Sequence, residues 1–158
     1  MGGTGTKIQQ IIYQQSNKNM WNNNDLIPAT EITDKVTAVT VDFAIRFGHY
    51  LGVNGRTVDP RNNRQINESK LTTSQLRKFF GEVKKQQMQG YDPTAFILLK
   101  PKLAYAVGRA DRNSKIKDFY TVISDAIDKV SDKKSFDNFI LIFEAIVAYH
   151  KAAEEQNL

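Results

Sequence analysis

Residues 98–112, LLKPKLAYAVGRADR, carry Lys100, Lys102, Arg109 and Arg112 together with Tyr105, and only Asp111 opposes the four positive charges. Wound at about 100° per residue, the segment sends Leu99, Leu103, Ala106, Val107 and Ala110 to one side and Lys102, Tyr105, Arg109 and Arg112 to another. A guanidinium binds phosphate bidentately and an ammonium acts as a point charge, so the polar side suits a polyanionic strand. Tyr105 has two readings at this spacing: a ring that stacks on a base or sugar, or one that packs against the body. Arg77, Lys78, Lys84, Lys85, Lys115 and Lys117 extend the basic set. Few i, i+4 Glu-to-Lys pairs of the kind that mark a solubilising helix face occur between residues 70 and 117. These cations are therefore expected to be available to phosphates.

Charge is unevenly distributed along the chain. Of 158 residues with a formal charge of +5, Arg56 through Lys117 holds fourteen Lys and Arg against five Asp and Glu. Residues 1–55 are balanced at four against four, and residues 118–158 hold four bases against eight acids. A scattered, solvated surface could be uneven by accident. Clustering of this kind favours instead a face that neutralises phosphates.

Catalytic chemistry finds little support. The chain has no cysteine and two histidines, and it lacks HExxH, GxSxG, a phosphate loop and GxGxxG. GGTGTK lacks the adjacent Gly-Lys before Ser or Thr that a phosphate loop needs, and the match of MGGTGT to a myristoylation pattern is read as chance. His49 lies beside the Phe43, Phe47 and Tyr50 stripe and His150 falls on the apolar side of the last helix, so both read as packed histidines. His150 and Glu154 have i, i+4 metal spacing but no third ligand in view. Asp125, Asp128, Asp132 and Asp137 read as a solvated acidic surface. No enzyme activity, metal or cofactor is expected. No apolar run reaches the ~18 residues of a membrane span, and residues 1–30 lack the pattern of a signal peptide. A soluble, cytoplasmic protein is the expectation.

The elements that must position the basic residues read as helices. Residues 1–30, Gln/Asn-rich, are expected to form a mobile polar tail, with Met20, Trp21, Leu26 and Ile27 as the residues able to dock. Residues 31–158 form a single helical domain. Within 32–51, Val39, Val41, Phe43, Ile45 and Phe47 alternate as in a strand, while Val36, Val39, Phe43, Phe47 and Tyr50 make a helical stripe with Thr33 as a possible N-cap. With no partner strand downstream, the helical reading prevails. Residues 52–70, rich in Gly, Asn and Pro and bearing Arg56, Arg61 and Arg64, read as a long loop, disordered or functional. Asn67–Ser69 match a glycosylation acceptor, which carries no weight without secretion. Thr72 and Gln75 predict a capping box, with Leu71 and Leu76 at staple positions. Asp92 and Pro93 can open another helix, and Pro101 predicts a kink or a new helix start. Two further amphipathic helices begin near Asn113 or Ser114 and near Ser135. The fold class is all-α, a compact bundle of about five helices.

LTTSQLRKFFGEV at 71–83, LKPKLAYAVGR at 99–109 and FILIFEAIVAYHK at 139–151 together resemble the small subunit of type III-A CRISPR effector complexes, the Csm small-subunit family. The resemblance covers roughly residues 34–155; the Gln/Asn-rich head and the 52–70 loop lie outside the family pattern. It implies an all-α, non-catalytic antiviral-defence protein whose copies self-associate as a stacked filament or dimer. Its partners would be the other Csm subunits, the guide RNA-containing complex and the backbone of target RNA. Carried onto matching positions, it implies Ser74, Arg77, Lys100, Lys102 and Arg109 as RNA-facing; Lys84, Tyr105 and Arg112 follow from the stripe. The other reading of TTSQLRKFFGEV is a recognition helix in a helix-turn-helix-like DNA-binding regulator, although the loop before Leu71 is longer than that motif's turn.

Overall fold

The computed structural model describes residue 7 and residues 20–155. The element order is α1 (Ala29–Thr33), α2 (Ala38–Gly52), β1 (Gly55–Val58), β2 (Gln65–Glu68), α3 (Thr73–Gln89), α4 (Pro93–Ile97), α5 (Leu99–Arg109), α6 (Ile116–Asp128) and α7 (Lys133–Glu155). Five of these helices run eleven residues or more, and their apolar faces converge on one core. Phe79, Phe119, Phe139 and Phe143 meet at its centre, with ring centroids 5.5 to 5.9 Å apart in the pairs that touch.

The helical reading of 32–51 holds over Ala38–Gly52, but the chain breaks at 34–37 between α1 and α2, and the cap lies elsewhere. Thr37, not Thr33, opens α2 by accepting from the Val39 N–H, while the Thr33 hydroxyl donates back to the Ala29 carbonyl and closes α1. Val39 is half exposed, so the buried stripe runs instead through Thr40, Phe43, Ala44, Phe47 and Leu51. Glu31 joins the two helices. Its buried carboxylate accepts from the backbone N–H and hydroxyl of both Thr37 and Thr40, over 2.7 to 3.0 Å. Burial pushes this carboxyl up, yet the hydrogen bonds from Thr40 and Thr37 outweigh it and hold the group below the usual carboxylate range.

Much of the first thirty residues lies outside the described residues. Residues 20–28 do dock: Trp21 and Ile27 are buried, the Trp21 ring packs 4.9 Å from Phe47 and 4.6 Å from Tyr50, and Arg46 pairs with Asp25. Met20 remains exposed.

Helices α2 and α7 share the most extensive helix–helix contact. Gly48 and Gly52, one turn apart, permit it: a Cβ on Gly48 would lie 2.7 Å from Tyr149 Cβ and 2.8 Å from the His150 nitrogen, and one on Gly52 would lie 2.7 Å from the His150 carbonyl oxygen. His150 is fully buried there, its Nε2 2.6 Å from the Leu71 carbonyl, so that nitrogen carries the proton and donates.

The 52–70 segment is not structureless. Gly55–Val58 pairs antiparallel with Gln65–Glu68, and an Asp59–Arg64 turn closes the hairpin through Asp59 N to Arg64 O and Asn63 N to Asp59 O, each 2.8 Å. An isolated two-stranded hairpin is marginal in water, so its anchorage matters. Ser69 N donates to Asn113 O and Lys115 N to Ser69 O, which ties the hairpin's return strand to the start of α6. Four-residue strands in a Gly- and Asn-rich context leave too short an alternation to read from sequence.

The helix starts around the basic residues follow their local chemistry. Thr72 and Gln75 form both bonds of the capping box that opens α3. Asp92 caps α4 by accepting from Thr94 N and Ala95 N. The chain breaks at Leu98, and Pro101 falls in the first turn of the new helix α5, where its missing N–H would have had no partner in any case. At α6 the Ser114 hydroxyl, two residues before the helical start, accepts from Ile116 N at 3.2 Å.

Candidate nucleic-acid interface

Helices α3 and α5 touch only sparingly and leave between them an open groove of about 550 Å³. Helical spacing supplies its walls. Ser74, Lys78 and Glu82, each one turn after the last, line it from α3, and Lys102, Tyr105, Ala106 and Arg109 line it from α5. Phe79 forms part of its floor and is buried. Tyr105 is 68% exposed, and the Arg109 guanidinium lies 5.7 Å from its ring centroid. Such an exposed ring with a cation over its face offers a stacking surface beside a phosphate ligand.

One acid enters the groove. Glu82 accepts from the Lys102 ammonium at 2.9 Å, and that bond holds the Glu82 carboxyl below its usual range against a smaller upward push from burial. Exposed ion pairs of this type contribute roughly 0–1 kcal/mol, so a phosphate can take Lys102 from Glu82 at little cost.

The structure divides the expected RNA-facing residues into two sets. Ser74, Lys102, Tyr105 and Arg109 come together in the groove. Arg77, three residues from Ser74, lines a different hollow with Phe80, Val147 and Lys151, on the side of α3 that meets α7. Lys84 also faces α7, where it pairs with Glu144 at 3.3 Å and lies over the Phe80 ring. Lys100 pairs with Asp128 at 2.7 Å, across to the end of α6. Arg112 lies beyond α5, near the hairpin and Lys117. The sequence expectation that these cations lack acidic partners is thus corrected for Lys84, Lys100 and Lys102. Their acids come from elements remote in sequence, which an i, i+4 count does not detect.

Lys115 is corrected more fully. It is buried, with its ammonium donating to the Tyr50 and Val53 carbonyls at 2.8 Å each and lying 4.0 Å from the Tyr50 ring centroid. It closes the C-terminal end of α2 rather than meeting solvent, and burial pulls its pKa down to about 8. Conversely, Lys78 and Glu82 belong to the groove; the i, i+4 spacing of Ser74, Lys78 and Glu82 was the signal for them.

His150 and Glu154 do not approach a metal geometry. His150 is engaged with Leu71, while Glu154 accepts from the Thr73 hydroxyl and pairs with Lys70 at 3.6 Å. Among the described residues no cluster of three or more His, Asp or Glu side chains is disposed to hold a metal ion. No helix among them is long and apolar enough to cross a membrane.

Fold and groove together define a small, mostly helical protein with a cation-lined cleft between two helices. The family described as Csm2 Type III-A matches residues 61–156, more than half of the chain. The chain belongs to that family, the small subunit of the type III-A CRISPR Csm complex, and so assembles with other Csm subunits. No curated protein and no solved structure matches it. The family match begins within the hairpin turn, so α1, α2 and β1 lie before it.

Proposed function

We propose that this small subunit is non-catalytic and holds the ribose-phosphate backbone of target RNA in the α3–α5 groove, without regard to sequence, as one of several stacked copies in the cytoplasmic Csm effector that defends against viruses. One observation carries the reading: two separate helices bring Lys78 of α3 and Lys102 and Arg109 of α5 to one cleft beside exposed Tyr105, with Glu82 as the acid that lines it. Base pairing to a guide RNA supplies specificity in such an assembly, so the protein needs backbone affinity and no base-edge readout. Ser74 adds a neutral donor at the groove's end. Arg77, Lys84, Lys100 and Arg112 contribute through the general field or through contacts outside the groove. A few phosphate contacts per copy give weak binding alone and useful avidity when copies are linked in an array.

The test compares the full-length chain with its Lys102→Gln/Arg109→Gln variant, measuring affinity for polyuridylate across a salt series. Loss of two phosphate contacts lowers the log-log slope by about 1.4 for single-stranded RNA, at about 0.7 per contact. An unchanged slope with intact assembly would refute the reading and leave a purely structural subunit. The helix-turn-helix alternative gains nothing from the geometry, because the hairpin separates α2 from α3 where that motif needs a short turn.

A further inference from the structure

The hairpin's two faces differ in what they meet. On β2, Ile66 and Glu68 point with Thr57 of β1 toward a polar hollow of about 220 Å³, whose other wall is Arg112, Asn113, Ser114 and Lys117. Strand alternation places Arg64 on this same face, because Asp59 N to Arg64 O continues the ladder one pair beyond Val58 and Gln65. Arg56 lies on the other face, opposite Asn67, and lines a separate hollow with Lys70 and Glu154.

The acids on the first face are already occupied. Asp59 accepts from Arg61 through backbone and side chain, Asp118 accepts from the Tyr50 hydroxyl, and Glu68 lies in the field of the Lys115 ammonium. Arg64, Arg112 and Lys117, all exposed, have no ion-pair partner among the described residues. The hairpin is also held fast at its root by the Ser69 to Asn113 and Lys115 to Ser69 bonds. The backbone that carries Arg64 is therefore already ordered against the backbone that carries Arg112 and Lys117, so binding costs side-chain rather than backbone entropy.

Position links this face to the groove. Arg109 lines the groove and Arg112 lines the hairpin hollow, and three residues of chain span no more than about 11 Å. We propose that Arg112, Lys117 and Arg64 form a second RNA-contacting surface, which takes the phosphate backbone as it leaves the α3–α5 groove past Arg109. The inference rests on the groove reading and adds a direction to the strand: out over the 110–115 turn and along one face of the hairpin.

The hairpin supplies its own control, since Arg56 carries the same charge on the opposite face. The experiment measures the salt slope for oligouridylates of increasing length with the full-length chain and three variants: Arg64→Gln/Arg112→Gln, Arg56→Gln, and Lys102→Gln/Arg109→Gln. The proposal expects Arg64→Gln/Arg112→Gln to match the wild type on the shortest RNAs and to lose about 1.4 in slope on the longest, while Arg56→Gln stays at the wild-type value throughout. If only the groove variant lowers the slope, the second surface is overturned and the groove reading stands. An equal effect of Arg56→Gln overturns the path along one face and leaves a diffuse field. If no variant changes the slope, both readings fail.

Discussion

The α2–α7 seam and the α3–α5 groove are both places where two helices meet, and they are built in opposite ways. At the seam, Gly48 and Gly52 let backbone approach backbone until even a methyl group has no room. At the groove, the positions facing the partner helix are Ser74, Lys78 and Glu82 against Lys102, Tyr105 and Arg109, whose length and charge keep the helices from closing. Apolar area and small side chains make the first contact a source of stability. Solvated cations keep the second open, which suits the binding role proposed for it, since closing it would strip water from charges that lack buried partners. On the proposed function, stability and binding fall to different helix pairs, and variants can separate them.

The largest effect is expected at the seam. Gly48→Ala places a Cβ against the backbone of Tyr149 and His150, and should cost about 3 kcal/mol, the upper end for an overpacked core. Urea unfolding would register this as a lower midpoint. RNA binding by the fraction that remains folded should keep its salt slope; a changed slope would show that seam and groove are not independent.

Lys115, at the end of α2, should make stability depend on alkaline pH. Its pKa of about 8 in the fold lies below its value of 10.5 as a free side chain, so the fold disfavours the ammonium form. That penalty is fully present below pH 8 and is relieved as pH rises toward 10.5, which gives about 2 kcal/mol at pH 9.5 by linkage. Unfolding measured at pH 7 and at pH 9.5 should show the wild type gaining this amount relative to Lys115→Met. A constant difference between the two proteins would mean that the amine keeps its proton.

In the groove, Tyr105→Ala should weaken polyuridylate binding by about 1 kcal/mol or more, the value of one lost stacking partner, and leave stability within about 0.5 kcal/mol because the ring is largely exposed. Loss of stability without loss of affinity would assign the ring to packing. The smallest effect is expected for Lys100→Gln. Its partner is Asp128, outside the groove, so affinity should fall less than twofold where the groove pair Lys102 and Arg109 costs far more. An equal loss would move the RNA path toward α6.

The local rules that a sequence carries were legible here. Thr72 and Gln75 announced α3, Asp92 and Pro93 announced α4, and Pro101 announced a kink or a new helix, which begins two residues earlier at Leu99, because each depends only on neighbours within one turn. The apolar face of α7 was legible from Phe136 through Ile146 for the same reason. What escaped depends on tertiary neighbours. Lys100 looks free until the fold brings Asp128 to it, and Lys115 looks like its basic neighbours until it is found beneath the hairpin against the Tyr50 and Val53 carbonyls. Ser74 and Arg77 share one short motif and stand only about 60° apart on α3, yet they line different hollows, one against α5 and the other against α7. The candidate site was thus half legible: the stripe on α5 was visible, and its partner stripe on α3 needed the structure.

The most direct test places a photo-crosslinking residue at Tyr105, in the groove, or at Val41, on the exposed side of α2, in the assembled complex bearing guide and labelled target RNA. The account predicts that the Tyr105 position captures target RNA and the Val41 position does not. Capture from Val41 with none from Tyr105 would contradict it.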